Sequence, residues 1–363
     1  MSDLSKSTID TFLDQFADDF IDLRLDEAGA EISAELEESH LKVRLGVGFP
    51  VARHRYRLSA ALEAALREAF EALDKVTIEV QSSVRSHAVQ ANLKPIDGIA
   101  NVIAVASAKG GVGKSTTAAN MALALASEGA RTGLLDADIY GPSQPRMLGL
   151  RGRQPTSPDG KHVDPLKAHG IVAMSIGFMV DEATPMVWRG PMVTQALNQL
   201  IAQTNWGELD YLIVDMPPGT GDTQLTLGQR VPLSGVVIVT TPQDIALLDA
   251  RKGLKMFEKI NVNVLGVVEN MSTHICSKCG HEEHIFGNDG GRRMAEEDGV
   301  PFLGALPLDI RIREQADGGV PTVIAEPDGG LADDYRRIAL RATSRLAAQK
   351  RDYSHRFPNI VVE

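Results

Sequence analysis

Residues 103–119, IAVASAKGGVGKSTTAA, decide the fold. An apolar run enters a glycine-rich turn ending Gly113-Lys114-Ser115-Thr116, and a small-residue helix follows, which is the layout of a phosphate-binding loop. Gly110, Gly111 and Gly113 place no side chain in the way of a phosphate. The backbone N–H groups from there through Val112 and on to Thr116 can therefore converge on it, helped by the positive end of the helix dipole. Lys114 is placed to reach the β/γ-phosphates, and the Ser115 hydroxyl to hold Mg²⁺. One departure stands out: the first glycine of G-x-x-x-x-G-K-[ST] is Ala108, and a second lysine, Lys109, lies just inside the loop.

Outward from this loop, short and nearly continuous apolar runs at 102–106, 132–135, 171–176, 211–214, 236–240 and 264–268 alternate with longer helical segments. Strands of that kind are buried on both faces, so the pattern predicts an α/β fold with a doubly wound, mostly parallel sheet. Ligands then bind beyond the carboxyl ends of the strands, where the first loop already lies. Acids cluster at the same end. In LLDADIYGPS, 134–143, Asp136 and Asp138 are spaced i, i+2, and in LIVDMPPGTGD, 212–222, Asp215 closes another apolar strand. Buried strand-end acids need a cation to answer them. Asp136 and Asp215, with Ser115, are read as Mg²⁺-shell residues, and Asp138 as the group that orients an attacking water, with Lys109 and Lys114 neutralising charge. Residues 217–222, rich in proline and glycine, read as a switch loop that senses the γ-phosphate.

The chain of 363 residues is long enough for one large and one small domain. The spacing predicts a small α+β domain over 1–83, with an amphipathic helix at 8–23, a strand at 40–49, a helix at 58–73 and a strand at 76–80. A polar linker at 84–100 leads to the ATPase domain, 101–350, and a tail at 351–363. Residues 331–350 read as a helix closing that domain rather than one that targets membranes. A formal net charge of −11 argues against general nucleic-acid binding. The start, MSDLSKSTID, lacks a secretory pattern, and no run approaches the ~20 apolar residues of a membrane span. A cytoplasmic protein without stable membrane insertion is the expectation.

Both cysteines of the chain, Cys276 and Cys279, form a Cys-x-x-Cys in the polar segment 270–291. Two thiolates are half of a four-coordinate site. The other half can come from a symmetry mate, which suits a [4Fe–4S] cluster, or from His281 and His284, which suits Zn²⁺; a redox pair is the third possibility.

The two-lysine loop resembles the deviant Walker A motif of the MinD/ParA/nitrogenase-iron-protein class, a resemblance that implies Lys109 crosses a dimer interface to the partner's nucleotide. With LDADIYGPS, DMPPGTGD, ENMS and CSKCGH…IFGNDGG in order over roughly 95–345, the chain resembles the Mrp/ApbC family of iron–sulfur cluster carrier ATPases. That resemblance implies a homodimer, and ATP with Mg²⁺ near its interface. It also implies a labile [4Fe–4S] cluster on Cys276 and Cys279 of both subunits, delivery to apo iron–sulfur proteins and contact with a cluster-assembly scaffold. By the same resemblance Asn270 reads the adenine edge. The 48–51 turn, Gly-Phe-Pro-Val, stands where some relatives carry a cysteine. The competing functions are a positioning or partition ATPase and a zinc-stabilised nucleotide-binding scaffold.

Overall fold

The computed structural model describes residues 5–179, 190–276 and 278–349. The tail read at 351–363 lies outside them.

The N-terminal part runs α1 (Lys6–Gln15), β1 (Ala17–Asp18), β2 (Leu23–Arg24), β3 (Glu31–Glu37), β4 (His40–Val47), α2 (His54–Ala69) and β5 (Lys75–Ser82). β3 pairs antiparallel with β4 and β4 parallel with β5, and the alternation of β4 turns Leu41, Val43 and Leu45 onto α1 and α2 and Val47 into a second cluster with Phe49 and Leu340. Two expectations change here. The first helix stops at Gln15 instead of continuing to 23, because the chain folds back on itself. The buried Asp18 carboxylate accepts from the Phe20 N–H at 3.0 Å and meets His54 Nε2 at 2.5 Å, while Asp22 takes φ 56°. A short acidic side chain that bonds its own backbone two residues on favours a turn over a helix. Strand β3 was not foreseen: its apolar positions Ile32, Ala34 and Leu36 alternate with acids that mask them in a hydropathy reading.

The larger part begins at β6 (Ile99–Ala106) and continues through α3 (Lys114–Ser127), β7 (Thr132–Asp136), α4 (Gln144–Met147), β8 (Leu166–Ala168), β9 (Ile171–Ser175), α5 (Gly190–Gln203) and β10 (Leu209–Asp215). It closes with α6 (Asp222–Arg230), β11 (Gly235–Thr240), α7 (Asp244–Lys259), β12 (Val264–Glu269), the β13 (His274–Ile275)/β14 (Glu282–Glu283) hairpin, α8 (Gly290–Glu297), β15 (Phe302–Ala305), α9 (Ile310–Asp317), α10 (Thr322–Ala325) and α11 (Gly330–Ala347). One sheet of order β15-β12-β11-β6-β10-β7-β9-β8 results, parallel throughout except for the edge strand β8. The expected α/β doubly wound sheet is what the chain forms. Its central strands are buried from end to end, which is why they read as unbroken apolar runs.

Residues 84–98 run along the larger part. Gln90 donates to the Gly228 carbonyl at 2.7 Å and accepts from the Leu233 N–H at 2.9 Å, and buried His87 meets Asn101 at 2.9 Å. Helix α11 lies on α3 and, on its other side, on the N-terminal part. Phe49, Val51 and Leu340 are buried in that seam, each worth roughly 2 kcal/mol. Arg341 Nε donates to the Phe20 carbonyl at 3.0 Å and Arg345 to the Ile21 carbonyl at 3.0 Å. Glu128, just past α3, fastens the same seam: its carboxylate accepts from the Arg53 N–H at 2.8 Å and the His54 N–H at 3.0 Å at the start of α2. Glu128→Ala is expected to destabilise the chain by about 2 kcal/mol, since one buried and one part-buried donor lose a charged acceptor. Chemical denaturation checks this, and a shift below about 0.5 kcal/mol would show that the cap carries no weight.

Candidate functional site

The site is built where β6, β10 and β7 end side by side. In register, Asp215 pairs with Asp136 across β10 and β7, and with Val105 across β10 and β6, so the phosphate-binding loop emerges directly beside the two acids. The loop itself is shaped by Gly111 and Gly113, at φ 81° and 83°, conformations that disfavour any side chain. Ser107 Oγ donates to the Lys109 carbonyl at 2.8 Å, and Thr117 Oγ1 to the Gly113 carbonyl at 2.9 Å. Gly110 and Gly111 are exposed, Ser115 and Thr116 half-buried, and Val112 and Lys114 buried.

Lys114 Nζ, on the first residue of α3, donates to Asp215 Oδ1 and lies 3.2 Å from Ser115 Oγ. Asp136 accepts from the Asp138 N–H at 3.2 Å, the Gln144 N–H at 3.1 Å and Ser175 Oγ at 3.1 Å. Burial, and next the charge of Asp215, push the Asp136 carboxyl up to about 7. Asp138 is raised as well, chiefly by burial, with Lys114 pulling the other way. The structure thus gathers Lys114, Ser115, Asp136, Asp138 and Asp215 into one cluster whose acids outnumber its cation. A hydroxyl and crowded carboxylates are the donors a hard divalent ion selects, so Ser115, Asp136 and Asp215 fit Mg²⁺.

Lys109 points elsewhere. Its Nζ lies 3.4 Å from Asp249 Oδ2 on α7, and its side chain is 38% exposed. Beside it, a groove of about 630 Å³ runs between Lys109, Gly110 and Gly111 on one wall and Gln243 to Ala246, Met271 and Phe286 on the other. Asn270, expected at the adenine edge, also braces the loop. Its Nδ2 donates to the Val112 carbonyl at 2.8 Å, and a Cβ on Gly113 would come within 2.1 Å of it. Gly113→Ala is therefore expected to abolish nucleotide binding in a chain that still folds; retained affinity by calorimetry would show that the loop tolerates another shape. In the 217–222 segment, the Gly219 N–H donates to the Ser107 carbonyl at 2.9 Å, tying the switch loop to the base of the phosphate-binding loop.

Cys276 and Cys279 sit on the turn of the β13/β14 hairpin, half-buried and exposed respectively, and both are free thiols. The Cys276 thiol is held below its ordinary range, first by the Lys278 N–H, then by the Cys279 N–H and thiol. Among the described residues no three His, Cys, Asp or Glu side chains converge on a metal position. His284 Nδ1 is turned to the Ser272 carbonyl at 3.2 Å, and His281 lies 3.8 Å from Glu283. Both imidazoles are thus engaged with neighbouring groups in this arrangement.

Two groups went unseen in the sequence, Gln144 and Ser175, and Glu269 was seen only as part of ENMS. Gln144, at the start of α4, and Ser175, at the end of β9, bond the acids with no motif of their own. Glu269, fully buried, accepts from Ser272 Oγ at 2.7 Å and from the Gly291 N–H, so the ENMS and NDGG signatures are partly one capping interaction.

Comparison with known proteins decides the family. The ParA family model described as NUBPL iron-transfer P-loop NTPase matches residues 98–343. The chain belongs to this family. It is 57% identical over 279 residues to an iron-sulfur cluster carrier protein of Pseudomonas fragi, covering 76% of this chain and 97% of that one. It is 54% identical over 255 residues to the iron-sulfur cluster transfer protein NUBPL of Mus musculus, covering 70% and 80%. A nucleotide-binding protein of Archaeoglobus fulgidus, solved with ADP, superposes with a TM-score of 0.57 at 35% identity over 64% of this chain and 91% of that one. The cell division ATPase MinD of Pyrococcus furiosus, at 21% identity and a TM-score of 0.52 over 66% and 96%, shares the fold. Members of this P-loop NTPase family bind and hydrolyse nucleotide, which is the chemistry that the Lys114 and Asp215 cluster suits. Among the described residues no helix is long and apolar enough to cross a membrane.

Proposed function

We propose that this chain is an ATP-dependent carrier that holds a [4Fe–4S] cluster between two copies of itself and hands it to apo iron–sulfur proteins, receiving it from an assembly scaffold. The observation that carries the reading is the linkage of two sites by one short segment. Asn270 braces the phosphate-binding loop at Val112, and the same strand exit, 270–276, delivers Cys276. A change at the loop that moves Asn270 shifts the root of the thiol hairpin. Coupling needs a ligand that prefers one of two such arrangements. The relatives' printed names supply the cargo, and the pair of unaccompanied thiols supplies half of its ligands.

A second copy completes the ligand set. Support comes from the exposed Ile245 and Leu248 on α7, Ile245 lining the groove beside Lys109, and from the exposed Ile275 and Ile285 at the hairpin. In the pair, Lys109 exchanges Asp249 for the partner's nucleotide. Gly110 to Thr116 bind the phosphates, and Ser115, Asp136 and Asp215 hold Mg²⁺, which supplies charge neutralisation at the phosphates when bound. Asp138 orients the attacking water, and turnover is slow because the work done is a conformational step. Cytoplasmic residence suits this cargo, which needs a compartment that keeps thiols reduced.

The test is transfer. Chain loaded anaerobically with iron and sulfide and mixed with an apo-protein that requires a [4Fe–4S] cluster should restore that protein's activity in the presence of a ferrous chelator. Restoration lost entirely to the chelator would mean that free iron, not a carried cluster, is the donor.

A further inference from the structure

Gln144 opens α4 beyond the DADIYGPS stretch and reaches back into the acid cluster. Its side chain is 1% exposed, and its Nε2 donates to the Ser115 carbonyl at 3.0 Å and to Asp215 Oδ2 at 2.8 Å. Both partners only accept, so the amide cannot be turned round. Its Oε1 is then left buried with no donor among the described residues, and so is the neighbouring Ser143 Oγ. A buried acceptor without a partner carries a desolvation cost that persists for a reason. A phosphate cannot satisfy it, because phosphate oxygens accept as well. Hydration water of a divalent cation can, since its hydrogens are polarised outward and Mg²⁺ keeps several waters when bound.

We propose that Gln144 is a positioning residue for the cation: Oε1 accepts from a hydration water of Mg²⁺, while Nε2 fixes Asp215 and the first turn of α3. The inference rests on assigning Ser115, Asp136 and Asp215 to that ion, and the two can be separated. ADP affinity is measured by calorimetry in EDTA and in excess Mg²⁺, and the ratio is the gain due to the metal. In Gln144→Met the ratio should fall about tenfold, as for one charge-assisted hydrogen bond, over and above any weakening in EDTA caused by losing the Nε2 bonds to Ser115 and Asp215. Gln144→Glu keeps an acceptor and adds charge, so its ratio should equal or exceed the native one even where affinity in EDTA drops.

Equal weakening of Gln144→Met in both conditions, or a ratio lowered alike in both variants, would mean that Gln144 merely props the loop, and the acceptor role is overturned. Should Gln144→Met not fold, a ratio below native in Gln144→Glu overturns it alone. A native chain with no gain from Mg²⁺, and no change in Asp215→Asn, sinks the cation assignment itself.

Discussion

Replacing Cys276 and Cys279 together by Ala is expected to abolish the visible absorbance of anaerobically reconstituted protein and leave nucleotide affinity within about twofold of native. The two thiols sit on a hairpin turn that is joined to the phosphate-binding loop through the backbone back to Asn270, and among the described residues neither thiol is bonded to Lys114 or Asp215. Cluster binding has no such reserve: Cys276 and Cys279 are the only two cysteines in the sequence. The thiolates are also favoured for the purpose, since the N–H groups of Lys278 and Cys279 lower the Cys276 thiol before any iron arrives. Absorbance that persists in the double variant would remove the thiols from the site; affinity lost along with it would mean that the hairpin holds up the nucleotide loop.

Replacing Lys109 by Ala is expected to cut ATP turnover by about 10²- to 10³-fold, the cost of one charge-stabilising donor in the transition state, with ATP affinity changed by no more than about threefold. In one protomer its ammonium group rests against Asp249 on α7, away from the acid cluster. Asp249 is bound more closely by Lys252, at 2.9 Å, so the Lys109 contact is the weaker of the two and costs little to exchange. Lys114 provides the contrast. It is buried against Asp215, and Lys114→Ala should remove nucleotide binding itself. Equal losses of turnover and affinity in Lys109→Ala would place that lysine on its own chain's nucleotide.

Much of this was legible because the signal was local. The loop at 108–116 is continuous, and six strands of the large sheet read as apolar runs since both of their faces are covered. The edge strand β8 and the short β15 carried too few residues to declare themselves, and β3 was hidden by its acids. At the site, Asp136 and Asp215 could be named from strand ends, yet their pairing in register belongs to the sheet and to no segment alone. Gln144 and Ser175 reach the acids only through tertiary folding, and nothing in their neighbours predicts it. Asn270 was legible in its motif, but its bond to Val112 spans the fold and could not be read there. The helix expected over 8–23 failed at Asp18, where a buried carboxylate is worth more in a turn with His54 than on a helical face.

The shared thiol site is tested most directly by quantifying iron and acid-labile sulfide on anaerobically purified protein, with the mass of the assembly measured by native mass spectrometry on the same sample. About four irons and four sulfides per two chains, in a dimer that falls apart when the cluster is removed, is the expected result. A monomer with neither iron nor sulfide after supply of both, or one zinc for each chain, contradicts it.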